Sequence, residues 1–295
     1  MPLIDFPTDV PINYEFVFGS NIWVWDGKTW NIKSSNLLYN FENKNKGFSY
    51  FNDLFSFPSS TGTESILNLS GSGAIDPAAS TSLNHPGVVL LNGSNGTTGT
   101  RSAILSTTQK NMLTLNYGIG DSFCESSVSI PVLSVLIGNS GARFIITSGF
   151  SNASVTYTSH TSGVYFAYDI NGTLTGTPST YWQAVIQNAG SITSTVTSVL
   201  VNANTWYKLS VNTSSITTSG TPGDIASTSS NVAKFYINDV LVASPSTTYF
   251  PTNIGSTAPQ ICCHQISSSS STPYPSKLNA DYLYFGQNFN EVAYR

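Results

Sequence analysis

Asp76, Asp121, Glu125, Asp169, Asp224 and Asp281 stand alone along the chain, and the nearest two of them, Asp121 and Glu125, bracket the apolar Phe123 and Cys124. Retaining glycoside hydrolysis needs two carboxylates about 5 Å apart, and no run of this sequence supplies such a pair. His85, His160 and His264 lie in no nucleophile-elbow context, so a serine triad is not indicated and they read as solvated loop residues. Catalytic residues are therefore expected to be none, and the chain reads as non-enzymatic. Cys124, Cys262 and Cys263 are an odd number and make no disulfide framework, which fits folding in a reducing cytoplasm. On a strand Cys262 and His264 share a face and Cys263 does not. A metal site needs more ligands than that pair, so the expected reading is a core thiol beside a polar histidine, with no metal.

Sugar recognition is the chemistry that the composition supports best. It needs aromatic platforms and neutral hydrogen-bonding groups, and the chain is rich in Asn, Ser, Thr, Tyr and Trp. Trp182 in "STYWQAV" and Trp206 in "NTWYKL" precede or begin strands whose alternation turns an indole outward, which makes them the candidate glycan-binding residues; the alternative is that both cap the core. Charged residues make up only 9% of the chain, against roughly 25% in ordinary globular proteins. A net charge of -4 without Lys/Arg clusters excludes nucleic acid as a partner. No apolar run approaches the roughly 20 residues of a membrane helix, so membrane insertion is not expected. The stretch "MPLIDFPTDVPIN" shows neither a basic n-region nor an apolar h-region, so a secretory signal is not expected in it.

The elements that must carry these residues are strands. "NIWVWDGKTWNI" puts three tryptophans around an Asp-Gly pair, a strong hairpin signal. A two-residue turn at Asp26-Gly27 would pair Trp25 with Lys28, Trp23 with Trp30 and Asn21 with Ile32. A tight turn at Gly19-Ser20 would place Phe18, Phe16 and Tyr14 opposite Asn21, Trp23 and Trp25. The expected product is a three-stranded meander with an aromatic face of Tyr14, Phe16, Phe18, Trp23, Trp25 and Trp30. So small a ribbon cannot bury that face alone, so these residues form an attachment or oligomerisation interface, or else a flap on the same chain.

From Ser60 onward, short alternating runs such as "SAILS", "RFIITSGF", "VYFAYDI", "YWQAVIQ" and "ICCHQIS" follow one another without a fixed repeat. A dozen or more strands in one region predict an all-β, two-sheet jelly-roll sandwich. The expected organisation is residues 1–35 as arm and ribbon and 36–295 as the jelly roll. An Asn238-Asp239 turn would put Phe235, Ile237, Val240 and Val242 inside and Lys234, Tyr236 and Leu241 outside.

The segments "NTWYKLSVNTSS", "NVAKFYINDVLVASP" and "KLNADYLYFGQNF" resemble the concanavalin A-like jelly roll in its laminin-G-like form. "NHPGVVLLNGSNGTTGTRSAILS" and the Trp-Asp-Gly-x-x-Trp ribbon resemble virion structural proteins of tailed phages of the marine and cyanobacterial kind. The resemblance implies a tail-fibre or head-fibre type surface protein, made in a host cytoplasm and displayed on the virion. Its implied partners are other virion proteins, sister subunits in a homo-oligomer, and host surface glycans. Laminarinase-type relatives of the fold carry Glu-x-Asp-x-x-Glu on one strand, which this sequence lacks. Laminin-G-like domains often hold calcium through isolated carboxylates and backbone carbonyls of different loops; no EF-hand-like run is present here, so no cofactor is expected, with calcium left open and unsupported. The alternative is a glycan-binding lectin or glycosidase-like jelly roll without a virion role.

Overall fold

Short alternating strands with one apolar set can bury it by stacking two sheets face to face. The computed structural model describes residues 7, 10–12, 14–18, 21–25, 27–35, 47–52, 54, 68–70, 74–77, 88–93, 101–106, 120–137, 139, 141–152, 160–214, 232–245, 250–251, 257–266 and 276–289. Every element among them is a β-strand, numbered here in chain order. One sheet has seven strands in the order β13 (Ser191–Leu200), β12 (Tyr181–Asn188), β11 (Gly163–Tyr168), β10 (Phe144–Ser151), β17 (Ala258–Gln265), β8 (Arg101–Ser106) and β5 (Asn68–Ser70). The other has eight: β16 (Val240–Ala243), β15 (Val232–Ile237), β14 (Trp206–Ser214), β9 (Gly120–Ser129), β18 (Lys277–Phe289), β7 (Val89–Asn92), β6 (Ala74–Pro77), and β4 (Gly47–Asn52) against β18. All pairings are antiparallel. No helix among the described residues is long and apolar enough to cross a membrane.

The core lies between the two sheets, where Phe144, Ile146, Phe150, Val164, Phe166 and Ile261 of the first face Val128, Leu209, Val211, Phe235, Leu283 and Phe285 of the second. At its centre Trp182 has its ring edge-on to Phe166, Tyr168 and Tyr207 at 6.3, 6.2 and 5.7 Å. Edge-to-face packing aligns the positive rim of one ring with the negative face of the next, adding to the burial of large apolar area.

The Asn238-Asp239 turn takes positive φ at both residues, 50° and 67°, which is the type I′ turn expected of it. Phe235 and Ile237 are buried while Lys234 is exposed, as the register requires. Two β16 residues differ from expectation: Val240 is 64% exposed and Val242 is half-buried against the core. A bulge between Phe235 and Tyr236 pairs Phe235 with Ala243, so Ala243 takes the inner place and Val240 stays at the rim of an edge strand.

At the N-terminus β1 (Glu15–Phe18), β2 (Asn21–Trp25) and β3 (Trp30–Ser35) form a sheet of their own. β1 and β2 pair Phe16 with Trp23 and Phe18 with Asn21, and Trp25 N–H donates to the Tyr14 carbonyl, all as expected. The second hairpin differs. Trp25 pairs with Trp30 and Trp23 with Ile32, so the loop spans four residues, with Gly27 at φ 97°. The slip is by two positions, which preserves strand parity. A bulge between Ile22 and Trp23 then pairs Asn21 with Ser35. Tyr14 is exposed and Trp25 half-buried; the side chains of Phe16, Phe18, Trp23 and Trp30, together with Asp26 and the Gly19-Ser20 turn, lie outside the described residues.

Candidate functional site

The outer face of the eight-stranded sheet meets solvent on one side only, so its strands alternate. In β14 Tyr207, Leu209 and Val211 enter the core while Trp206, Lys208, Ser210 and Asn212 point out. β18 sends Leu283 and Phe285 inward and leaves Tyr282 and Tyr284 half-buried outside. Those two tyrosines join Phe51 of β4 and Phe123 of β9 in a cross-strand ladder. Phe51 lies 5.6 Å from Tyr282 and 5.9 Å from Tyr284, and Phe123 lies 4.8 Å from Tyr284. Beside Phe123 is a shallow depression of ≈ 290 Å³ bordered by Asp121, Asn212, Lys234, Tyr236 and Asn288. Its size, at the low end of the roughly 300–1,000 Å³ usual for small-molecule sites, suits one sugar ring.

Lys208, Glu125 and Asp239 on this face are already engaged with one another. Tyr282 Oη donates to Glu125 Oε1 at 2.8 Å, and Lys208 Nζ lies 3.4 Å from Glu125 Oε2 and 2.7 Å from Asp239 Oδ1. The hydrogen bond to Asp239 is the main cause that raises the Lys208 pKa, and burial followed by the Glu125 carboxylate pushes the Tyr282 phenol far above its usual range. Asp121 and Glu125 are four positions apart on β9, about 13 Å along a strand, beyond the separation of either glycosidase class. Asp169 is a loop staple: its Oδ1 accepts from Thr173 N–H and its Oδ2 from the N–H groups of Leu174 and Thr175.

Of the two tryptophans expected on a sugar-binding surface, the structure places them oppositely. Trp206 opens β14 on the outer face, opposite Ser129, and is half-buried. Trp182 has 0% exposure at the centre of the core; β12 turns it inward, so its indole offers no face to a ligand, and the expectation for it is corrected. Phe51, Phe123, Tyr282 and Tyr284 were not singled out from sequence, although the alternation of "DYLYFG" already separates Tyr282 and Tyr284 from Leu283 and Phe285.

The outer face of the seven-stranded sheet is of another kind. All eight residues of β10 and of β17 are buried, and the sheet's outer set mixes apolar residues such as Ile104, Tyr165 and Val185 with polar ones: Ser102, Thr147, Gln183, Gln187, Gln260 and His264 are each at most 5% exposed. His160 and His264, expected in solvent, are 3% and 0% exposed. The loop before β11 is closed by Asn152, whose Oδ1 accepts from the N–H groups of Thr161 and Ser162, and this delivers His160 onto β17. There His160 Nε2 lies 2.8 Å from His264 Nε2, and His264 Nδ1 lies 2.6 Å from Ser102 Oγ. Burial lowers the His160 pKa to about 3, and burial and then His160 lower that of His264, so both rings are neutral at pH 7. Cys262 is the outward residue of β17 and Cys263 the core residue, as strand parity requires. Burial pushes the Cys262 thiol up to about 12.

No sequence-family description and no curated protein matches the chain. Solved structures do resemble it. The chain is similar to a protein of unknown function, SO2946, from Shewanella oneidensis MR-1, with a TM-score of 0.54 and 14% identity over 85% of this chain and 89% of that one. The carbohydrate recognition domain of Emp46p aligns with a TM-score of 0.45 and 9% identity over 79% and 94% of the two chains. An endo-β-1,4-glucuronan lyase from Trichoderma reesei aligns at 0.43 and 10% over 82% and 97%. At such identities the likeness concerns the fold, which is the concanavalin A-like two-sheet jelly roll.

Proposed function

We propose that the protein is a non-enzymatic carbohydrate-binding protein whose ligand lies on the outer face of the eight-stranded sheet. The observation that carries this reading is the half-buried ladder of Phe51, Tyr282, Tyr284 and Phe123 beside a depression edged by Asn212 and Asn288. Aromatic faces receive the apolar C–H faces of a pyranose, and amide side chains both donate to and accept from its hydroxyls. Trp206 extends the same face beyond Lys208. In this reading the N-terminal ribbon docks on a virion or on sister subunits and the jelly roll projects toward host glycans. Support for that finer part is the separate three-stranded sheet with Trp25 and Trp30 paired. Screening the intact protein against a glycan array tests the ligand class, with binding expected and lost in Tyr284→Ala. Purified particles lacking the protein would remove the virion part and leave glycan binding standing.

A further inference from the structure

Three side chains on the sealed face of the seven-stranded sheet converge. The donor atoms of His160, His264 and Cys262 all lie within 4.8 Å of one another, and all three residues are buried. The 2.8 Å approach of the two Nε2 atoms means that they share one proton, since two lone pairs or two N–H groups would repel. Ser102 Oγ holds His264 Nδ1 at 2.6 Å, the kind of outer contact that fixes ring orientation in metal-ligating histidines. His160 Nδ1 is buried with no hydrogen-bond partner among the described residues, so within them the pair is not a closed hydrogen-bonding unit in either tautomer.

We infer that His160, His264 and Cys262 form a three-coordinate site for cuprous copper. A thiolate with two imidazoles suits soft or borderline ions, which leaves Cu⁺ and Zn²⁺ as the main contenders. Charge separates them. One thiolate and two neutral rings neutralise Cu⁺, whereas Zn²⁺ would leave a net positive charge in a site closed to water, which is costly. Among the described residues the side chains about the cluster supply no counter-charge: Ser102 holds His264, Thr147 lies opposite Cys262 in register, the Tyr165 ring lies 5.3 Å from that of His160 and is tilted by 55°, and Cys262 Sγ donates to Gln260 Oε1 at 3.6 Å. Coordination number points the same way, because structural zinc takes four ligands and three donors converge here among the described residues. Bonds of roughly 2.0–2.3 Å place donors about 3.5 Å apart, so the two imidazoles part slightly as the metal replaces their shared proton.

Binding is a ligand exchange without oxidation or reduction. The Cys262 S–H bond breaks, its proton leaves for solvent, and the sulfur pair forms the S–Cu bond. The shared proton stays within the pair, because each neutral ring keeps one N–H, now at Nδ1. One proton is therefore released for each copper bound.

The test is an anaerobic titration of the reduced full-length protein with Cu⁺ held by a colorimetric cuprous chelator, on native protein and on protein refolded from urea with the metal present. One equivalent should be withdrawn, and X-ray absorption should report two nitrogens and one sulfur. Cys262→Ser should weaken binding at least 100-fold, whereas Cys263→Ser and Cys124→Ser, on the core side, should leave it unchanged. Withdrawal of no copper in either protocol, an absorption spectrum without sulfur, or tighter binding of Zn²⁺ than of Cu⁺ would overturn the assignment. The absorption measurement needs only the native chain, so it decides the matter even if a substituted protein does not fold.

Discussion

The two sheets turn outer faces of opposite character to their surroundings. On β14 and β18 the outer positions carry Lys208, Asn212, Tyr282 and Tyr284, half-buried or exposed, and rings and amides lie side by side. On β10 and β17 the outer positions carry Thr147, Ser151, Gln260, Cys262 and His264, with none of them more than 1% exposed. A polar residue alternating with apolar ones marks a sheet face in both cases, but only in the first does it mark a solvent face. Many polar groups of the sealed face find partners inside the protein, as pairs: Ser151 with Gln260, Tyr165 with Gln187, and Gln187 Nε2 with the His160 carbonyl, while Thr147 Oγ1 and His160 Nδ1 have none among the described residues.

The sharpest way to break this contrast is to truncate one tyrosine on each face. Tyr165, fully buried and bonded to Gln187, should cost about 3–5 kcal/mol as Tyr165→Ala through lost burial and the cavity left behind. Tyr284→Ala, at a half-buried position, should cost about 1 kcal/mol, the worth of a cross-strand pair. Denaturant melts of the two variants read the difference directly. Equal losses would mean that both faces are covered and that the aromatic ladder is merely a second core.

Acid separates the faces next. The folded-state pKa of His160 is depressed to about 3 from 6.5 by burial, and that of His264 is depressed too. Between pH 6.5 and about 3 the unfolded chain binds protons that the folded one refuses, so stability falls as pH falls through that window and is unaffected by these groups above it. Each histidine contributes a slope of about 1.4 kcal/mol per pH unit. His160→Gln should flatten the profile measured by urea melts from pH 7 to pH 4. A profile unchanged by that substitution would put His160 in water.

Smaller effects belong to the open face. Lys234→Ala removes an exposed side chain at the edge of the depression and should change stability by no more than about 0.5 kcal/mol. Asp239→Gly accepts the positive φ of the turn but loses an exposed ion pair with Lys208, so the two terms nearly cancel. Thermal melts of both should overlay that of the parent chain.

Legibility from sequence followed the same division. Where one face is wet, alternation identified the inner set, as for Phe235 and Ile237. Turn chemistry identified the Asn238-Asp239 hairpin, because few residue pairs tolerate two positive φ angles. The Asp-Gly loop was less decisive: a four-residue connection and a bulge satisfy the same sequence, so the register slipped by two while strand parity held. Trp182 was misplaced because "YWQAVIQ" gives no indication of which of its two sets faces the other sheet when both are buried. His160 and His264 were invisible as a pair, being 104 residues apart and joined only by a loop folding back on the sheet. The ladder of Phe51, Phe123, Tyr282 and Tyr284 likewise draws on three strands distant in sequence and adjacent only through β4, β18 and β9 pairing.

The central claim is that the aromatic face of the eight-stranded sheet binds sugar, and calorimetric titration with the best glycan from an array tests it most directly. The parent chain should give a saturable isotherm, Phe51→Ala and Tyr284→Ala should each lose at least tenfold in affinity, and Trp206→Ala should lose less. Saturable binding that survives both substitutions, or no glycan bound at all, would contradict the assignment of that face.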